Sequence, residues 1–386
     1  MTIRFDAAVI GAGPAGSAAA SILAGSGRRV LLLEKDRFPR PKVCGEFLSG
    51  DALACLDRLG VRGSVESALP ERIVRGVIRP PRGQGIGFDL PRPAMGISRF
   101  LLDDLLARRA AEAGAEVRFG CRAAFVLPEE RGGFRIRAVE GGNESDLEAG
   151  VVIGAWGRWD ALDRKLERRF LGGRRRFFAW SRDYSGDTTR LAGQVRLYLF
   201  DGGYCGLTRV EGGIANLAGV VSEKTFRGEG SRWDLLSEHA RRSNPALAAD
   251  LSALEPGPTG FLGTGPVYFT AKPPVEDGIL MAGDAAGFLD PFSGAGQASA
   301  LSCGILAAET VEKVLSGRAT RESLVPLYEQ AWRRRFSSRF QWSSRLRKLM
   351  LNPTAGTLAL RLLGERLVRF GFAATRGATG PSRPPE

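Results

Sequence analysis

A glycine-rich turn near the start of the chain has the residue types and spacing to hold a diphosphate. An apolar run over residues 5–10 leads into the sequence GAGPAG at residues 11–16. In a strand–turn–helix unit, Gly11 permits the tight turn, Gly13 lets the backbone approach a pyrophosphate, and Gly16 allows the helix to pack closely on the strand. The N-terminus of that helix directs unpaired N–H groups towards the phosphates. This pattern predicts a dinucleotide-binding unit.

An acidic residue follows this unit at the distance that ribose binding requires. A second apolar run, residues 30–33, ends in Glu34, about 20 residues beyond Gly13, where a carboxylate can bind ribose hydroxyls. An acid rather than an arginine favours an unphosphorylated ribose, and therefore FAD or NAD over NADP. Ala15 and Lys35, next to these residues, belong to the same predicted cofactor site.

A second glycine-rich stretch, GDAAGFLDPFSGAG at residues 283–296, distinguishes FAD from NAD. Asp284 follows a predicted strand over residues 278–282, and its carboxylate suits a ribityl hydroxyl. A predicted helix then starts near residue 294 and presents N–H groups to the anionic edge of a reduced flavin. Two separated dinucleotide elements imply one long cofactor, FAD. The predicted contacts here are Gly283, Asp284, Gly294, Ala295 and Gly296.

The chain resembles the flavoprotein superfamily of p-hydroxybenzoate hydroxylase, in the branch that contains geranylgeranyl reductases, flavin-dependent halogenases and natural-product monooxygenases. The resemblance runs from residue 3 to about residue 310. It implies that Arg99 binds the FAD pyrophosphate or ribityl chain, that Asp284 binds the ribityl chain, and that Pro291 and the residues up to 296 line the isoalloxazine ring. The matching segments are GAGPAG, Glu34, PRPKVCGEFLSG at 39–50, SRFLLDDLL at 98–106, and GDAAGFLDPFSGAG.

The same resemblance implies a set of catalytic candidates. Cys44-Gly45 matches the reductases, in which a cysteine lies beside the flavin; a small buried packing residue is the alternative. Glu46 replaces a reductase glycine and points towards the monooxygenases. The sequence YCGL at 204–207 is a degraded form of the reductases' aromatic-x-Trp-x-Phe-Pro box, and the halogenases' WxWxIP box is missing from residues 201–210. The predicted catalytic residues are Cys44, Glu46, Pro291 and Tyr204.

Trp156 and Gly157 stand where the hydroxylase relatives have an Asp-Gly pair that contacts FAD and NADPH. An indole N–H donates a hydrogen bond but accepts none. One interpretation is weakened use of NADPH, with electrons supplied by a flavin reductase or another separate donor. The other is that Trp156 packs, while Arg158 or Asp160 serves the cofactor. The predicted reductant is therefore NAD(P)H or a separate electron donor.

Three reactions are open to such a flavin: hydroxylation through a C4a-hydroperoxide, halogenation, and hydride delivery to a double bond. We predict a monooxygenase that acts on a hydrophobic or aromatic natural product or a lipid-like molecule. A geranylgeranyl-reductase-like double-bond reductase is the alternative, followed by a halogenase and by a flavin-binding protein without turnover. The apolar substrate is inferred from aromatic residues on the predicted cavity strands: Phe177, Phe178, Trp180, Tyr198, Phe200 and Tyr204.

Composition restricts the partners and the compartment. The formal net charge of +13 predicts an anionic partner, but base-contacting motifs are missing, so nucleic acid is not expected. The five cysteines lack paired spacing and the single histidine is His239, so neither a metal site nor a catalytic triad is expected. The sequence contains no evident secretory signal and no apolar run of about 18 residues, so the expected location is the cytoplasm, with peripheral membrane association as a further option.

The predicted fold is mixed α/β: a Rossmann-like FAD-binding domain with a parallel sheet, interleaved with an antiparallel β substrate domain and followed by C-terminal helices. Residues 331–350 carry seven basic residues and no acid, and Trp332, Phe336 and Phe340 recur every fourth residue. These helices either pack over the body or dock on an anionic membrane or an acyl carrier protein. The predicted boundaries are 1–75, 95–165 and 275–320 for the FAD-binding domain, 76–94 and 166–274 for the substrate domain, 321–375 for the basic helices, and 376–386 for a disordered tail.

Overall fold

The computed structural model describes residues 4–130, 132–173 and 176–376, so residues 377–386 of the predicted tail lie outside the described residues. The strands are β1 (Arg4–Ile10), β2 (Val30–Glu34), β3 (Phe47–Leu48), β4 (Glu71–Arg79), β5 (Ile86–Gly96), β6 (Glu116–Phe119), β7 (Cys121–Pro128), β8 (Phe134–Glu140), β9 (Asn143–Gly154), β10 (Phe177–Gly186), β11 (Gln194–Phe200), β12 (Gly203–Arg209), β13 (Ala215–Ser222), β14 (Leu254–Val267), β15 (Val275–Glu276) and β16 (Ile279–Met281). The helices are α1 (Pro14–Gly25), α2 (Leu53–Leu59), α3 (Arg62–Ser67), α4 (Arg99–Glu112), α5 (Ala161–Lys165), α6 (Glu223–Gly228), α7 (Leu235–Ser243), α8 (Pro245–Leu251), α9 (Gly296–Leu315), α10 (Leu324–Met350) and α11 (Pro353–Arg376).

The first sheet, sheet A, runs in the order β15-β16-β9-β1-β2-β6. The two glycine motifs follow the carboxyl ends of β1 and β16. Strand β1 pairs in parallel with β2 and β9, and β16 pairs in parallel with β9. The near-continuous apolar residues of β1 and β2 are buried, as expected for parallel strands covered on both faces. Helix α1 starts directly after β1, which places the GAGPAG turn at the carboxyl end of the sheet, where such folds bind ligands. The predicted Rossmann-like unit is confirmed.

The second sheet, sheet B, runs in the order β14-β10-β13-β12-β11-β4-β5-β3. Its pairings are antiparallel except for that of β11 with β4, which is parallel. Helices α6 to α8 cover one face, and the other face is turned to the cleft between the sheets. The predicted antiparallel strands of residues 175–222 are confirmed as β10 to β13.

The boundary between the two units differs from the prediction at the N-terminal side. Residues 47–48 and 71–75, assigned above to the FAD-binding domain, form β3 and the first half of β4 in sheet B. Strand β4 pairs with β11, more than 100 residues later in the chain, and with β5. Because this pairing is long-range, local composition carried no signal for it.

The C-terminal helices pack on the body through α10. Trp332 and Phe336 are buried in the core that also contains the strands of sheet A. Two of the predicted basic surface residues are buried as well: Arg339 donates to the Ser299 hydroxyl, and Arg347 lies beside Asp290. Helix α10 therefore packs over the body, as one of the two interpretations above required.

Candidate functional site

A continuous cleft runs between the two sheets. Its first part, a cavity of about 570 Å³, is lined by the GAGPAG turn, Glu34, Lys35 and Arg122. Its second part, of about 270 Å³, extends under sheet B to α10 and α11. Gly13, Lys42, Val43, Ala155, Gly157 and Arg158 line both parts. The predicted FAD would lie with its adenosine in the first part, the adenosine cavity, and its flavin in the second part, the flavin cavity.

The glycines along this cleft fall into two groups: some are required for packing of the protein itself, and others leave open space that FAD could fill. An added Cβ at Gly11 would lie 2.5 Å from the Ala155 carbonyl oxygen, and one at Gly16 would lie 1.8 Å from the Gly11 carbonyl oxygen, so these two are required for packing. At Gly13 the nearest atom to an added Cβ, Nη2 of Arg99, lies 3.8 Å away. At Gly45 and Gly296 an added Cβ meets no atom within 4 Å. At these three positions bare backbone faces open space, as the close approach of a diphosphate and a flavin requires.

Glu34 is fixed at the entrance of the first cavity. Its Oε2 accepts a hydrogen bond of 2.8 Å from the Ala12 N–H, and its Oε1 accepts one of 3.1 Å from the Asp36 N–H. These bonds hold the carboxylate at the end of β2, the position of the ribose-binding acid in dinucleotide folds. Lys35 lines the same cavity, but its ammonium is paired with Asp160 at 2.7 Å.

Cations converge where the two cavities join. Arg99, predicted at the pyrophosphate, is buried beside Gly13 and forms a bidentate pair with Asp103, with both N–O distances 2.6 Å. Burial, together with the nearby Arg99 guanidinium, lowers the pKa of Lys42 to about 8. Burial also lowers the pKa of Arg158, which lines both cavities. Such crowding of positive charge suits a diphosphate. Lys42 was missed by the sequence analysis although it lies within the matched segment 39–50.

The second glycine motif forms the wall of the flavin end. Asp284 lines the cavity, and its carbonyl oxygen accepts a 2.8 Å hydrogen bond from Nζ of Lys272. Gly283 and Ala15 pack on each other, since a Cβ at Gly283 would lie 2.8 Å from that of Ala15. The cavity wall continues through Pro291, Gly294 and Gly296. Ala295 does not line the cavity, and its N–H donates to Ser293.

Cys44 is held beside this wall by several polar groups. Its Sγ accepts a 3.3 Å hydrogen bond from Nε2 of Gln297 at the start of α9, and its carbonyl oxygen accepts one of 2.8 Å from Nδ2 of Asn216. Oε1 of Gln297 is buried and has no hydrogen-bond partner among the described residues. Gln297 lines the flavin cavity, so this acceptor is available to a cofactor hydroxyl or N–H. Gln297 was not predicted from the sequence, although it directly follows the predicted contacts Gly294, Ala295 and Gly296.

Glu46 is a buried acid that lines the same cavity. Its backbone has φ +53°, an uncommon conformation for a residue with a side chain. Oε1 accepts a 2.9 Å hydrogen bond from the Arg99 N–H. Burial raises the pKa of Glu46 to about 8, and the carboxylates of Asp183 and Glu211 add to the effect. The side chain is therefore predominantly a neutral carboxylic acid at pH 7.

The distal half of the second cavity is apolar and draws on distant segments. Strand alternation points Tyr198 and Phe200 to the opposite face of sheet B, against α7 and α8, and Phe178 packs on Phe226 of α6. The prediction that these three aromatic residues line the cavity is therefore wrong; Phe177 does not line it either, whereas Trp180 and Tyr204 do. The other apolar side chains that line it include Ile78, Phe88, Ala179, Val195, Leu197, Val220, Leu346, Leu349, Met350 and Val368.

Tyr204 reaches the cavity wall, but its hydroxyl is engaged elsewhere. It donates to Oδ1 of the buried Asp290, whose Oδ2 lies 3.5 Å from Nη1 of Arg347 on α10. The Asp290 N–H also donates to the Ser343 hydroxyl on α10 at 3.1 Å. Burial raises the pKa of Asp290 to about 6, against the effect of these partners. This network, which we call the Asp290 clamp, joins sheet B, the flavin-side loop and α10.

Trp156 lies at the adenosine cavity and outside the flavin cavity. Its Nε1 donates to Oδ1 of Asp163 at 3.1 Å, and its ring covers Gly154, where an added Cβ would lie 2.3 Å from Cζ3. Gly157, with φ +91°, exposes its backbone to the cleft. This geometry favours the packing interpretation of Trp156. The electron donor stays a prediction.

Comparison with known proteins identifies the family. Residues 4–185 match the model of an FAD binding domain. The chain is 30% identical over 384 residues to digeranylgeranylglycerophospholipid reductase 2 of Methanopyrus kandleri, covering 95% of this chain and 93% of that protein. The chain belongs to the geranylgeranyl reductase branch of the FAD-dependent oxidoreductases. FAD is its cofactor, as predicted.

Other relatives agree with this assignment. The digeranylgeranylglycerophospholipid reductase of Methanosarcina mazei is 28% identical over 348 residues, covering 86% of this chain and 81% of that protein. A geranylgeranyl bacteriochlorophyll reductase-like protein of Thermoplasma acidophilum has the same fold, with TM-score 0.79, 22% identity, and coverage of 97% of this chain and 94% of that chain. The flavin-dependent brominase Bmp2 has TM-score 0.82, 21% identity, and coverage of 98% and 96%. These solved structures support the fold.

The described part of the chain offers neither a metal-binding cluster nor a membrane-spanning helix. Among them, no group of three or more His, Cys, Asp or Glu side chains could hold a metal ion. No helix in the described part of the chain is both long and apolar enough to cross a bilayer.

Proposed function

We propose that the protein is an FAD-dependent reductase that saturates isolated carbon–carbon double bonds in a long, isoprenoid-like lipid chain. The observation that carries this proposal is the apolar distal half of the cavity, which continues directly from the flavin end of the cleft. The curated relatives named above are digeranylgeranylglycerophospholipid reductases, which supports this substrate class.

The monooxygenase predicted above is not confirmed. The curated relatives are reductases, and the halogenase structures are too distant in sequence to support more than the fold. The alternative given there, a geranylgeranyl-reductase-like enzyme, has the better support.

Reduction of an isolated double bond needs a hydride at one carbon and a proton at the other. Reduced FAD supplies the hydride. The chain has to hold a proton close to the flavin end, next to the apolar half of the cavity, and the Glu46 carboxyl group can do so because burial raises its pKa to about 8. Its Oε1 is fixed by the Arg99 N–H, which orients the group. We assign the proton donation to Glu46.

Cys44 and Gln297 shape the cavity beside this acid. The amide of Gln297 donates to Sγ of Cys44 and thereby holds the thiol against the flavin-side wall. The apolar residues of sheet B and the C-terminal helices hold the lipid chain and exclude water. Exclusion of water raises the strength of the electrostatic interactions at the reacting end.

The test is an anaerobic reaction of the holoprotein, reduced with dithionite, with a geranylgeranyl-substituted glycerophospholipid. The expected product gains two hydrogen atoms per reduced bond, as measured by mass spectrometry. A product that appears only with oxygen and carries an added oxygen atom would instead establish the monooxygenase.

A further inference from the structure

Helix α11 has two contrasting faces. Its inner face contributes Val368, Gly371 and Thr375 to the wall of the substrate cavity. Its outer side exposes large apolar side chains to solvent: 56% of Leu358, 74% of Leu362, 52% of Leu363 and 49% of Phe370. Other exposed apolar side chains of the described residues, such as Leu69 and Leu127, lie on separate parts of the molecule. Because helical geometry breaks at Gly364, the three exposed leucines lie on the segment before the break, whereas Phe370 and the cavity-lining residues lie on the segment after it.

The adjoining surface of α10 adds an aromatic and cationic group. Trp342 packs edge-to-face against Phe370, with ring centroids 5.0 Å apart. The guanidinium carbon of Arg345 lies 4.8 Å from the centre of the Trp342 ring. Arg345, Lys348 and Arg366 are exposed. Tryptophan and basic residues beside an apolar surface are the composition found where proteins meet the headgroup region of a bilayer.

Charge along this segment is strongly one-sided. Residues 331–376 contain eleven Arg and Lys residues and a single acid, Glu365; Arg339 and Arg347 are buried, and the basic residues described as exposed are Arg333, Arg334, Arg335, Arg345, Lys348 and Arg366. The four exposed apolar side chains and this excess of positive charge complement an anionic lipid surface, which offers both a hydrophobic interior and negative headgroups. An acidic protein partner would satisfy the charges but gives no reason for the exposed leucines.

We propose that the outer face of α11, with Trp342, Arg345 and Lys348 of α10, docks on an anionic lipid bilayer, and that the substrate chain enters the cavity behind the same helix. The docking itself stands independently of the reaction. The entry route rests on the proposed reductase function, because only a lipid substrate needs it.

The backbone of α11 leaves helical geometry at Gly364, with φ 53° and ψ −135°. This break lies between the exposed leucines and the cavity-lining Val368, where a movement of the helix would open the wall.

Docking is tested by sedimentation of the FAD-loaded protein with phosphatidylcholine vesicles with and without phosphatidylglycerol. We expect binding to the anionic vesicles that weakens several-fold between 0.1 and 1 M salt, since the screening length falls from about 10 to about 3 Å. The double variant Leu358→Ser/Leu362→Ser should bind at least about tenfold less tightly. The matched control, Leu69→Ser/Leu127→Ser, removes two leucines of similar exposure elsewhere and should bind like the wild type.

The proposal is overturned if the wild type does not bind anionic vesicles, or if the α11 variant binds as tightly as the control. Binding that salt abolishes but the leucines do not affect would indicate a purely electrostatic surface, suited to an acidic carrier protein, and would also overturn it. A second measurement does not depend on the leucine variants: phospholipids brominated on the acyl chains should quench part of the tryptophan fluorescence, and Trp342→Phe should remove that part. Equal quenching in both proteins would contradict the docking orientation.

The entry route is tested separately. Leu358→Ser/Leu362→Ser should reduce vesicle-embedded substrate at least about tenfold more slowly than the wild type, in line with its weaker binding, and detergent-dispersed substrate at the same rate. Equal rates on vesicles would overturn the route. If no substrate is reduced in either form while the vesicle binding stands, the proposed function fails and the docking survives.

Discussion

At the adenosine end of the cleft, backbone and charged side chains face the cavity, whereas at the distal end apolar side chains from several distant segments line it. The core of the adenosine end is the GAGPAG turn and the end of β2, which belong to one β1-α1-β2 unit, and residues 121–123, 155–161 and 262–264 complete its wall. The distal end is assembled from sheet B, α10 and α11. The first end therefore depends mainly on local geometry, and the second, which would accommodate a lipid chain in the proposed function, depends on long-range packing. Changes at the two ends should accordingly have different consequences.

The largest effect is expected at Gly13. In Gly13→Val the new side chain would occupy open space that the diphosphate needs, so the protein should fold but purify without FAD. We expect the affinity for FAD to fall by more than about 1000-fold, which corresponds to the loss of three charge-assisted hydrogen bonds to the diphosphate of about 1.5 kcal/mol each. The measurement is flavin absorbance and Kd by titration. The control is Gly25→Val at the end of α1, where an added Cβ meets no atom within 4 Å and the residue lines neither cavity. A Gly13→Val protein that purified yellow, with FAD bound, would show that the diphosphate does not bind at Gly13.

Glu46 tests whether the flavin end supplies a proton. Because Glu46 is protonated below its pKa of about 8, the reduction rate should fall as the pH rises through 8. Glu46→Gln should lower the rate about 100-fold and abolish that pH dependence. Asp183→Asn should shift the dependence to lower pH, since the Asp183 carboxylate helps to raise the pKa of Glu46. An unchanged pH–rate profile in Glu46→Gln would exclude it as the proton donor.

Lys42 tests the cation group between the two ends. With a pKa of about 8, Lys42 should lose its proton as the pH rises through 8 in the unliganded protein, so FAD affinity should decline over that range. Lys42→Gln should weaken binding about tenfold and remove the decline, the effect of one charge-assisted hydrogen bond. Lys35→Gln is the comparison, because its ammonium is already paired with Asp160. Equal losses of FAD affinity in Lys42→Gln and Lys35→Gln would show that Lys42 does not contact the diphosphate.

The smallest effect on turnover is expected at Tyr204. The hydroxyl donates to Asp290 in the clamp, so Tyr204→Phe should cost about 1–3 kcal/mol of stability while FAD binding and the reduction rate change little. Burial raises the folded-state pKa of Asp290 to about 6, so the stabilisation of the fold by its protonated form is complete below the unfolded value near 4 and is lost as the pH rises through 6. The Tyr204 hydrogen bond lowers that pKa and therefore stabilises the ionised form of Asp290. The stability loss of the variant, measured by urea unfolding, should accordingly be larger at pH 8 than at pH 5. A large loss of turnover at unchanged stability would restore Tyr204 as a catalytic residue.

The contrast between the two ends also explains what could be predicted from the sequence. Gly11, Gly13 and Glu34 were predictable because their roles depend on neighbours within one strand–turn–helix unit. Tyr198 and Phe200 were placed on the wrong face because composition identifies a strand but does not tell which face meets the cavity. Leu346 and Val368 were not predicted as cavity residues, since only the packing of α10 and α11 over sheet B brings them there.

The side chains around Cys44 show the same limit on a smaller scale. The motif containing Cys44 and Glu46 was recognised, but the raised pKa of Glu46 arises from burial and from Asp183 and Glu211, which are distant in sequence. Gln297 directly follows a predicted helix start and received no role, because its partner, Cys44, lies 253 residues away.

In the proposed function, FAD and the Glu46 carboxyl group together saturate a double bond. The most direct measurement is anaerobic reduction of the lipid substrate in D₂O, with the position and number of deuterium atoms determined by NMR and mass spectrometry. We expect two deuterium atoms at each reduced double bond, because the hydrogen that dithionite-reduced FAD would transfer and the proton of Glu46 both exchange with D₂O, and we expect no requirement for oxygen. A product with an oxygen atom from O₂, or no saturated product under anaerobic conditions, would contradict it.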